Sequence, residues 1–238
     1  MIWGLFYKFF YNICSRKNNK CLITTPKNII KPENSNNLKI VSYNINGLFL
    51  HYNHQNYVNI SKYIRYLFID EKIDIICLQE VWEKNIEDLI KRKLKGLDLY
   101  YAKPPTNLKY CIGEHSGLIT ISRYPIVYND FLKFNELNLT CSMTNKGLHY
   151  ICLKYNDEYL HLINTHLQSS FNRCKLHYQK TAIHQMNMIK EYISQHSMKE
   201  CLIVGDFNLK EEYMDLFLKD NDDFSIIYNY NNLITFPN

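Results

Sequence analysis

The sequence predicts a layered α/β domain that starts near Leu38 and continues to Asn238. Two observations predict this class. Short apolar runs of strand length alternate with segments whose apolar residues repeat at helical spacing, and 46% of the 238 residues are hydrophobic. That share of apolar residues is enough for a buried core. No apolar run approaches the roughly 20 residues of a transmembrane helix, which excludes a polytopic membrane protein.

The first part of this domain alternates strands with amphipathic helices. Residues 38–44 and 73–79 are apolar runs of strand length, and both predict buried strands. A second helix is predicted over residues 83–95. The first helix, between the two strands, carries its apolar residues on one face: Tyr57, Ile60, Ile64, Leu67 and Phe68.

The remainder is richer in strands. Asn156, Asp157 and Glu158 are turn residues between two alternating runs and predict a hairpin. A helix near residues 175–195 carries Leu176, Ile183, Met186, Ile189 and Ile193 inward. The predicted strands of this part are 115–127, 147–155, 159–166 and 201–206.

Residues 1–16 form a separate apolar segment, interrupted by Gly4, Lys8 and Asn12 in its first fourteen residues. A helix of fourteen residues rises only about 21 Å, which is short of the roughly 30 Å hydrocarbon core. The segment therefore predicts an interfacial anchor that holds a cytoplasmic protein at the membrane surface. A helix that packs on its own domain or on a partner is an equal alternative. Residues 17–37 are polar and basic and predict a linker.

The positive charge is confined to this amino-terminal arm. The chain has 28 basic and 23 acidic residues, and residues 1–33 hold six of the basic and one of the acidic residues. The remaining 22 basic and 22 acidic residues cancel, which argues against a wide nucleic-acid-binding face. Eight cysteines without a C-x-x-C pair predict buried free thiols in a reducing compartment.

Polar residues follow several predicted strands at the point where each strand ends. They are Asn44, Glu80, His166, Asp206 and Asn208. Any one of them alone is more often a turn or a solvated strand end. Because strand ends in layered α/β proteins converge on one crevice, the set predicts a single site.

The segments around these residues resemble the endonuclease/exonuclease/phosphatase superfamily over residues 38–238. Within it the likeness is greatest to the Mg²⁺-dependent neutral sphingomyelinases. KGLHYICLKYNDEYLHLINTHLQ resembles their Lys-Gly strand and Thr-His-x-Gln strand end, HSGLITISRYPI resembles their Ser-Gly segment, and ITFPN resembles their Thr-aromatic-Pro-Asn segment. The resemblance implies a DNase I-like four-layer α/β sandwich and Mg²⁺-dependent cleavage of phosphate esters.

The residue types suit that chemistry. Mg²⁺ keeps several waters and is commonly held by one or two carboxylates plus substrate phosphate, so Glu80 is the predicted main ligand. Asn44 completes the shell or holds a phosphate oxygen. His166 and Asn208 are donors that stabilise charge on the phosphoryl oxygens. The resemblance further implies that Asp206 orients the attacking water. Lys146 is a predicted phosphate contact, with a solvated strand-end lysine as the equal alternative.

One departure from the family concerns the general base. The superfamily has an Asp-His pair in its last strand, and this sequence has no histidine after His196. We therefore expect a shortened or fragmentary family member that lacks the last strand. Loss of a general base typically costs about 10²–10⁴-fold in rate. His51 and His54 are the candidate substitutes.

The sequence thus predicts a sphingomyelin phosphodiesterase-like hydrolase that acts at a membrane surface, releases phosphocholine and leaves ceramide. Two alternatives stay open. One is a nuclease of the same superfamily, which would require a local basic groove. The other is an inactive lipid- or protein-binding module, which the missing histidine favours.

Overall fold

The computed structural model describes residues 21–27, 37–47, 54–105, 116–138, 141–142, 144–169 and 176–226. Within these ranges the chain forms a mixed α/β fold with two sheets. The strands are β1 (Leu22–Thr24), β2 (Ile40–Asn44), β3 (Ile75–Gln79), β4 (Tyr100–Lys103), β5 (Ile119–Ser122), β6 (Ile126–Lys133), β7 (Gly147–Tyr155), β8 (Glu158–His166) and β9 (Leu202–Asp206). The helices are α1 (His54–Ile69), α2 (Lys84–Lys93), α3 (Leu176–Gln195) and α4 (Glu211–Lys219).

The two sheets have the orders β1-β4-β5-β3-β2 and β6-β7-β8-β9. Each sheet ends in one parallel pair, β2 with β3 and β8 with β9, while the other neighbours are antiparallel. The two parallel pairs face each other, because β2 and β3 both pack against β9. This arrangement brings the carboxyl ends of β2, β3, β8 and β9 to the same edge of the molecule.

Three apolar cores separate four layers. One core lies between α1, α2 and the first sheet, and another lies between the second sheet, α3 and α4. The third lies between the two sheets and contains Ile75, Ile151 and Leu162. The order helices, sheet, sheet, helices confirms the predicted four-layer sandwich.

Most predicted elements are present near their expected bounds. The hairpin turn contains two residues, Asn156 and Asp157, because Tyr155 already pairs with Glu158. Both turn residues have positive φ. Residues 115–127, predicted as one strand, contain all of β5 and the start of β6, separated by a short break at 123–125. Leu176, predicted to point inward, is 51% exposed at the first position of α3.

β1, β4 and α4 differ from the sequence-based expectation. β1 lies inside residues 17–37, which were predicted to be a linker, and pairs with β4. A strand of three residues is too short to show a period, so its place depends on pairing with a neighbour. α4 has nine residues and buries one of them, Phe217.

The predicted anchor, residues 1–16, lies outside the described residues. Among the helices that the structure describes, none has the length and apolar character needed to cross a bilayer. The described cysteines are free thiols. Burial raises the pKa of Cys77 to about 12, which keeps this thiol protonated.

Candidate active site

Four of the predicted site residues stand at the carboxyl ends of the two parallel strand pairs. Asn44 is the last residue of β2, and Glu80 directly follows β3. His166 and Asp206 are the last residues of β8 and β9 and are paired in register. The structure therefore brings residues that are up to 162 positions apart into one cluster.

The Asn44 amide lies between two carboxylates. Its Nδ2 donates to Glu80 Oε1 and to Asp206 Oδ2, both at 2.8 Å. Its Oδ1 accepts from the Asn46 backbone N–H at 2.9 Å, which fixes the amide plane. Both carboxylates are partly accessible, with side-chain exposures of 16% for Glu80 and 30% for Asp206. The Asn44 N–H groups thus lie at the position where a bound cation would neutralise the Glu80 and Asp206 carboxylates.

His166 forms the floor of the cluster. Its Nε2 is 3.8 Å from Glu80 Oε1 and 3.7 Å from Asp206 Oδ2, and its side chain is 2% exposed. Burial lowers the pKa of His166 well below its ordinary value, and the positive charge of Lys146 lowers it further. The ring is therefore neutral at pH 7, and its Nδ1 is buried without a hydrogen-bond partner.

Lys146 is not the solvated strand-end lysine that was one of the two interpretations made from the sequence. Its residue exposure is 2%, so it is not a solvated strand end. Its Nζ lies 2.8 Å from His166 Nε2 and donates to Leu167 O and Ser169 Oγ, both at 2.7 Å. These three contacts match the three N–H donors of an ammonium group, so Lys146 supports the His166 ring from below. Burial lowers the pKa of Lys146.

Asn208 lies in the turn that follows β9. Its backbone N–H donates to Asp206 Oδ1 at 3.1 Å, and its Nδ2 lies 3.4 Å from Leu167 O. Gln179 of α3 donates to the Asn208 carbonyl at 3.1 Å and so ties the turn to the helix layer. Asn208 and Glu80 both have positive φ, 50° and 59°, a conformation that is uncommon outside glycine and concentrates at functional sites.

A layer of buried amides supports these strand ends. Gln79 precedes Glu80 and donates to Asn164 Oδ1 at 2.8 Å and to Ser42 Oγ at 3.1 Å. Asn164 in turn donates to the Leu78 and Ile119 carbonyls, both at 3.2 Å. Because these side chains are fully or nearly fully buried, their hydrogen bonds hold the two sheets in one relative position beneath the site.

The side chains suit a hard divalent cation. Glu80, His166 and Asp206 each offer a ligand atom, and these atoms lie within 4.8 Å of one another. Two partly exposed carboxylates match the oxygen ligands that Mg²⁺ takes from proteins, and the open side leaves room for waters. His166 Nε2 is already occupied by Lys146, which leaves Glu80 and Asp206 as the residues that would hold the ion.

Trp82 is a further residue at the site, and its position was not predicted from the sequence. It follows Glu80 by two residues, and its ring centroid lies 6.4 Å from that of His166. The sequence did contain a signal for this residue, because a large aromatic side chain follows a strand-end carboxylate by only two positions. Of the two candidate substitute bases, His54 is the exposed first residue of α1, and His51 lies outside the described residues.

The endonuclease/exonuclease/phosphatase family model matches residues 41–236, which is more than half of the chain. The chain belongs to this family. Among curated proteins it is 26% identical over 184 residues to a sphingomyelinase of Dictyostelium discoideum, a match covering 63% of this chain and 40% of that protein. It is also 25% identical over 154 residues to sphingomyelinase C of Bacillus cereus, covering 58% and 46%. The chain thus spans less than half the length of these two relatives.

Solved structures support the fold of this family member. A beta toxin variant from Staphylococcus aureus, determined with bound magnesium ions, superimposes with a TM-score of 0.65 at 22% identity. The match covers 77% of this chain and 69% of the toxin chain. At that identity the likeness establishes the DNase I-like fold.

Proposed function

We propose that this chain is a Mg²⁺-dependent phosphodiester hydrolase of the sphingomyelinase type, which cleaves sphingomyelin to phosphocholine and ceramide. The observation that carries the proposal is the Asn44 amide held between the Glu80 and Asp206 carboxylates beside His166. This arrangement places two carboxylates, a neutral amide and a neutral imidazole around a position suited to a hard cation. The sphingomyelinases among the relatives supply the substrate class.

In this proposal each residue acts on the phosphodiester in a definite way. Glu80 and Asp206 would hold Mg²⁺, and the bound ion would supply positive charge that neutralises the phosphoryl oxygens. Asn44 positions the two carboxylates through its side-chain amide, and Asn208 holds a phosphate oxygen through its own. Asp206, whose Oδ2 faces the site, orients the attacking water. His166 is a neutral, buried ring beneath the two carboxylates. It contributes a polar group to a part of the site that has little access to water.

A lipid substrate is favoured over a nucleic acid by the charge distribution. Beyond residue 33 the basic and acidic residues balance at 22 each, so no broad excess of positive charge is available for a polyphosphate chain. The apolar residues 1–16 and the basic residues after them would attach the protein peripherally to the cytoplasmic face of a membrane. A sphingomyelin surface is then the partner of the enzyme.

Metal binding tests the carboxylate roles directly. Glu80→Gln replaces a charged ligand by a neutral amide of the same shape, and we expect Mg²⁺ affinity to fall at least tenfold in calorimetric titrations. The matched control is Glu158→Gln, an exposed glutamate at the opposite end of β8, which should bind Mg²⁺ like the wild type. Equal affinity of the Glu80 and Glu158 variants would remove Glu80 from the metal site.

Measuring the release of phosphocholine tests both the proposed substrate and the need for a general base. A polypeptide of residues 1–238 has no histidine after His196, so we expect slow phosphocholine release with Mg²⁺. Fusion to a family segment that bears the Asp-His pair should raise turnover by about 10²-fold or more. Nicking of supercoiled DNA is measured in parallel. Fast release by residues 1–238 would show that these residues need no added general base, and nicking without phosphocholine release would assign a nuclease.

A further inference from the structure

Ser169 follows the end of β8 and shares the Lys146 ammonium group with His166. The Lys146 Nζ contacts Ser169 Oγ and the Leu167 carbonyl at 2.7 Å and His166 Nε2 at 2.8 Å. An ammonium group has no lone pair, so it is the donor in each contact, and the proton of the neutral imidazole is on Nδ1. The carbonyl and the ring nitrogen only accept. The Ser169 hydroxyl also accepts, but it keeps a hydrogen of its own to donate.

The Ser169 hydroxyl lies beside the candidate metal ligands. Its Oγ is 3.5 Å from His166 Nε2, which is longer than an ordinary hydrogen bond of a hydroxyl group, and the lone pair of that nitrogen already accepts from Lys146. The same nitrogen is 3.8 Å from Glu80 Oε1 and 3.7 Å from Asp206 Oδ2. Because a serine side chain is one carbon long, these distances fix the place of the whole side chain. Ser169 is partly exposed, so a ligand at the carboxylates can reach it.

The backbone that carries Ser169 is held by hydrogen bonds at successive residues. The Leu167 N–H donates to the Asp206 carbonyl at 2.9 Å. The Gln168 N–H donates to Gln185 Oε1 at 2.8 Å, and Gln168 Nε2 donates to the Ser169 carbonyl at 2.8 Å. The hydroxyl is therefore fixed in place before a substrate binds.

Ser169 is linked to Asn208 through the Leu167 carbonyl. This oxygen lies 3.4 Å from Asn208 Nδ2 and accepts from Lys146 at 2.7 Å, and Lys146 in turn donates to Ser169. The Asn208 amide and the Ser169 hydroxyl are thus two donors in the same part of the site. A phosphodiester has two non-bridging oxygens that such donors can bind.

We infer that Ser169 donates its hydroxyl hydrogen to a phosphoryl oxygen of the bound phosphodiester, as a second donor beside Asn208. This inference rests on the proposed function, because it takes the phosphate as held at the metal site. The hydrogen bond from Lys146 draws electron density from the Ser169 oxygen and strengthens the bond that the hydroxyl donates. A donor that is fixed before the reaction stabilises the charge that develops on the phosphoryl oxygens.

Binding of inorganic phosphate tests this contact without any need for turnover. Mg²⁺ alone, and then phosphate in the presence of saturating Mg²⁺, are titrated by calorimetry. In Ser169→Ala the phosphate affinity should fall about 3- to 10-fold through loss of one hydrogen bond, while Mg²⁺ affinity stays within about twofold of the wild type. Ser169→Thr keeps a hydroxyl and should bind phosphate within about threefold of the wild type.

Ser194→Ala is the matched control. It removes an exposed hydroxyl near the carboxyl end of α3, away from the site, because α3 leads from the carboxyl end of β8 to the amino end of β9. This variant should bind Mg²⁺ and phosphate like the wild type. Phosphocholine release by Ser169→Ala should fall at least about tenfold, mainly in kcat, because the donor contributes most when charge develops.

The outcomes distinguish this inference from the proposed function. Wild-type phosphate affinity in Ser169→Ala would overturn the inference while leaving the hydrolase intact. Equal losses of Mg²⁺ and phosphate affinity would also overturn it, because they would show that the hydroxyl only supports the carboxylates. If the wild type binds no phosphate in the presence of Mg²⁺, the proposed function itself fails. Thermal unfolding of each variant shows that the compared proteins are folded.

Discussion

The space between the two sheets has two ends that differ in chemistry although both are buried. At the end away from the site it is filled by apolar side chains, among them Ile75, Ile151 and Leu162. At the site end it is filled by Gln79 and Asn164, whose exposures are 1% and 0%. Each of these two amides donates to protein acceptors in the opposite sheet.

The change occurs along single strands. On β8 the inward-facing residues proceed from Leu162 through Asn164 to His166, within five positions. Aliphatic contacts stabilise the sandwich without a preferred direction, whereas buried hydrogen bonds are directional and costly to break. The apolar end therefore supplies stability, and the polar end sets the relative position of the strand ends that carry Glu80 and Asp206.

The largest expected effect comes from substitutions at the apolar end and at the polar end of the space between the sheets. Both should lower stability, but only the substitution at the polar end should also weaken metal binding. Leu162→Ala should lower the free energy of unfolding by about 2–5 kcal/mol through cavity formation, with Mg²⁺ affinity of the folded protein unchanged. Asn164→Leu removes the cross-sheet hydrogen bonds of this amide with Gln79 and with the Leu78 and Ile119 carbonyls, and should lower both stability and Mg²⁺ affinity. Chemical denaturation and calorimetry measure the two quantities. A reduced Mg²⁺ affinity in Leu162→Ala would contradict the division of roles.

The second effect concerns acid stability and His149, a fully buried residue of β7 that pairs in register with Asn164. Burial lowers the pKa of His149 to about 3 from an ordinary 6.5, and neither ring nitrogen has a hydrogen-bond partner. A depressed folded-state pKa contributes stability above pH 6.5 that is lost as the pH falls toward 3. The expected loss is about 1.4 kcal/mol per pH unit.

His149→Leu tests this acid dependence, because it removes the titrating group and keeps an apolar side chain of similar size. Denaturation curves between pH 7 and pH 4 should show a shallower decrease for the variant than for the wild type. His166, whose pKa is also lowered by burial, retains its own contribution in both proteins. Identical slopes would show that His149 is not a source of acid sensitivity.

A smaller effect is expected for Lys146→Met, which replaces the ammonium group under His166 by a side chain of similar length. Removing a buried charge offsets the loss of its three hydrogen bonds, so we expect the free energy of unfolding to change by no more than about 1 kcal/mol. Phosphocholine release should fall by about tenfold because the His166 ring loses its support. Lys146→Arg is the charge-retaining comparison, and unchanged release in the Met variant would contradict a positioning role.

The smallest effect on stability is expected from deleting residues 1–16. The deletion ends before β1, which contributes to the first sheet and must be kept. The free energy of unfolding should change by less than about 0.5 kcal/mol, whereas sedimentation with sphingomyelin vesicles that contain anionic lipid should decrease strongly. Equal sedimentation of the full-length and shortened proteins would show that the apolar segment packs on protein.

Local patterns were sufficient to predict most of the long elements, α4 being the exception. α1, α3, β7 and β8 extend over nine residues or more, so the period of their apolar residues distinguishes helix from strand. β1 and β4 were missed because three or four residues carry no period, and their place depends on pairing with each other and with β5.

The strand-end polar residues could be named from the sequence, because a polar side chain directly after a buried run marks a strand end whatever lies around it. Their partners were a matter of tertiary structure. Lys146 lies beside His166 only because β7 runs antiparallel to β8, and Trp82 meets Gly117 only because β5 lies next to β3. A linear pattern specifies the face and the end of each element, whereas sheet order and packing decide which element lies opposite.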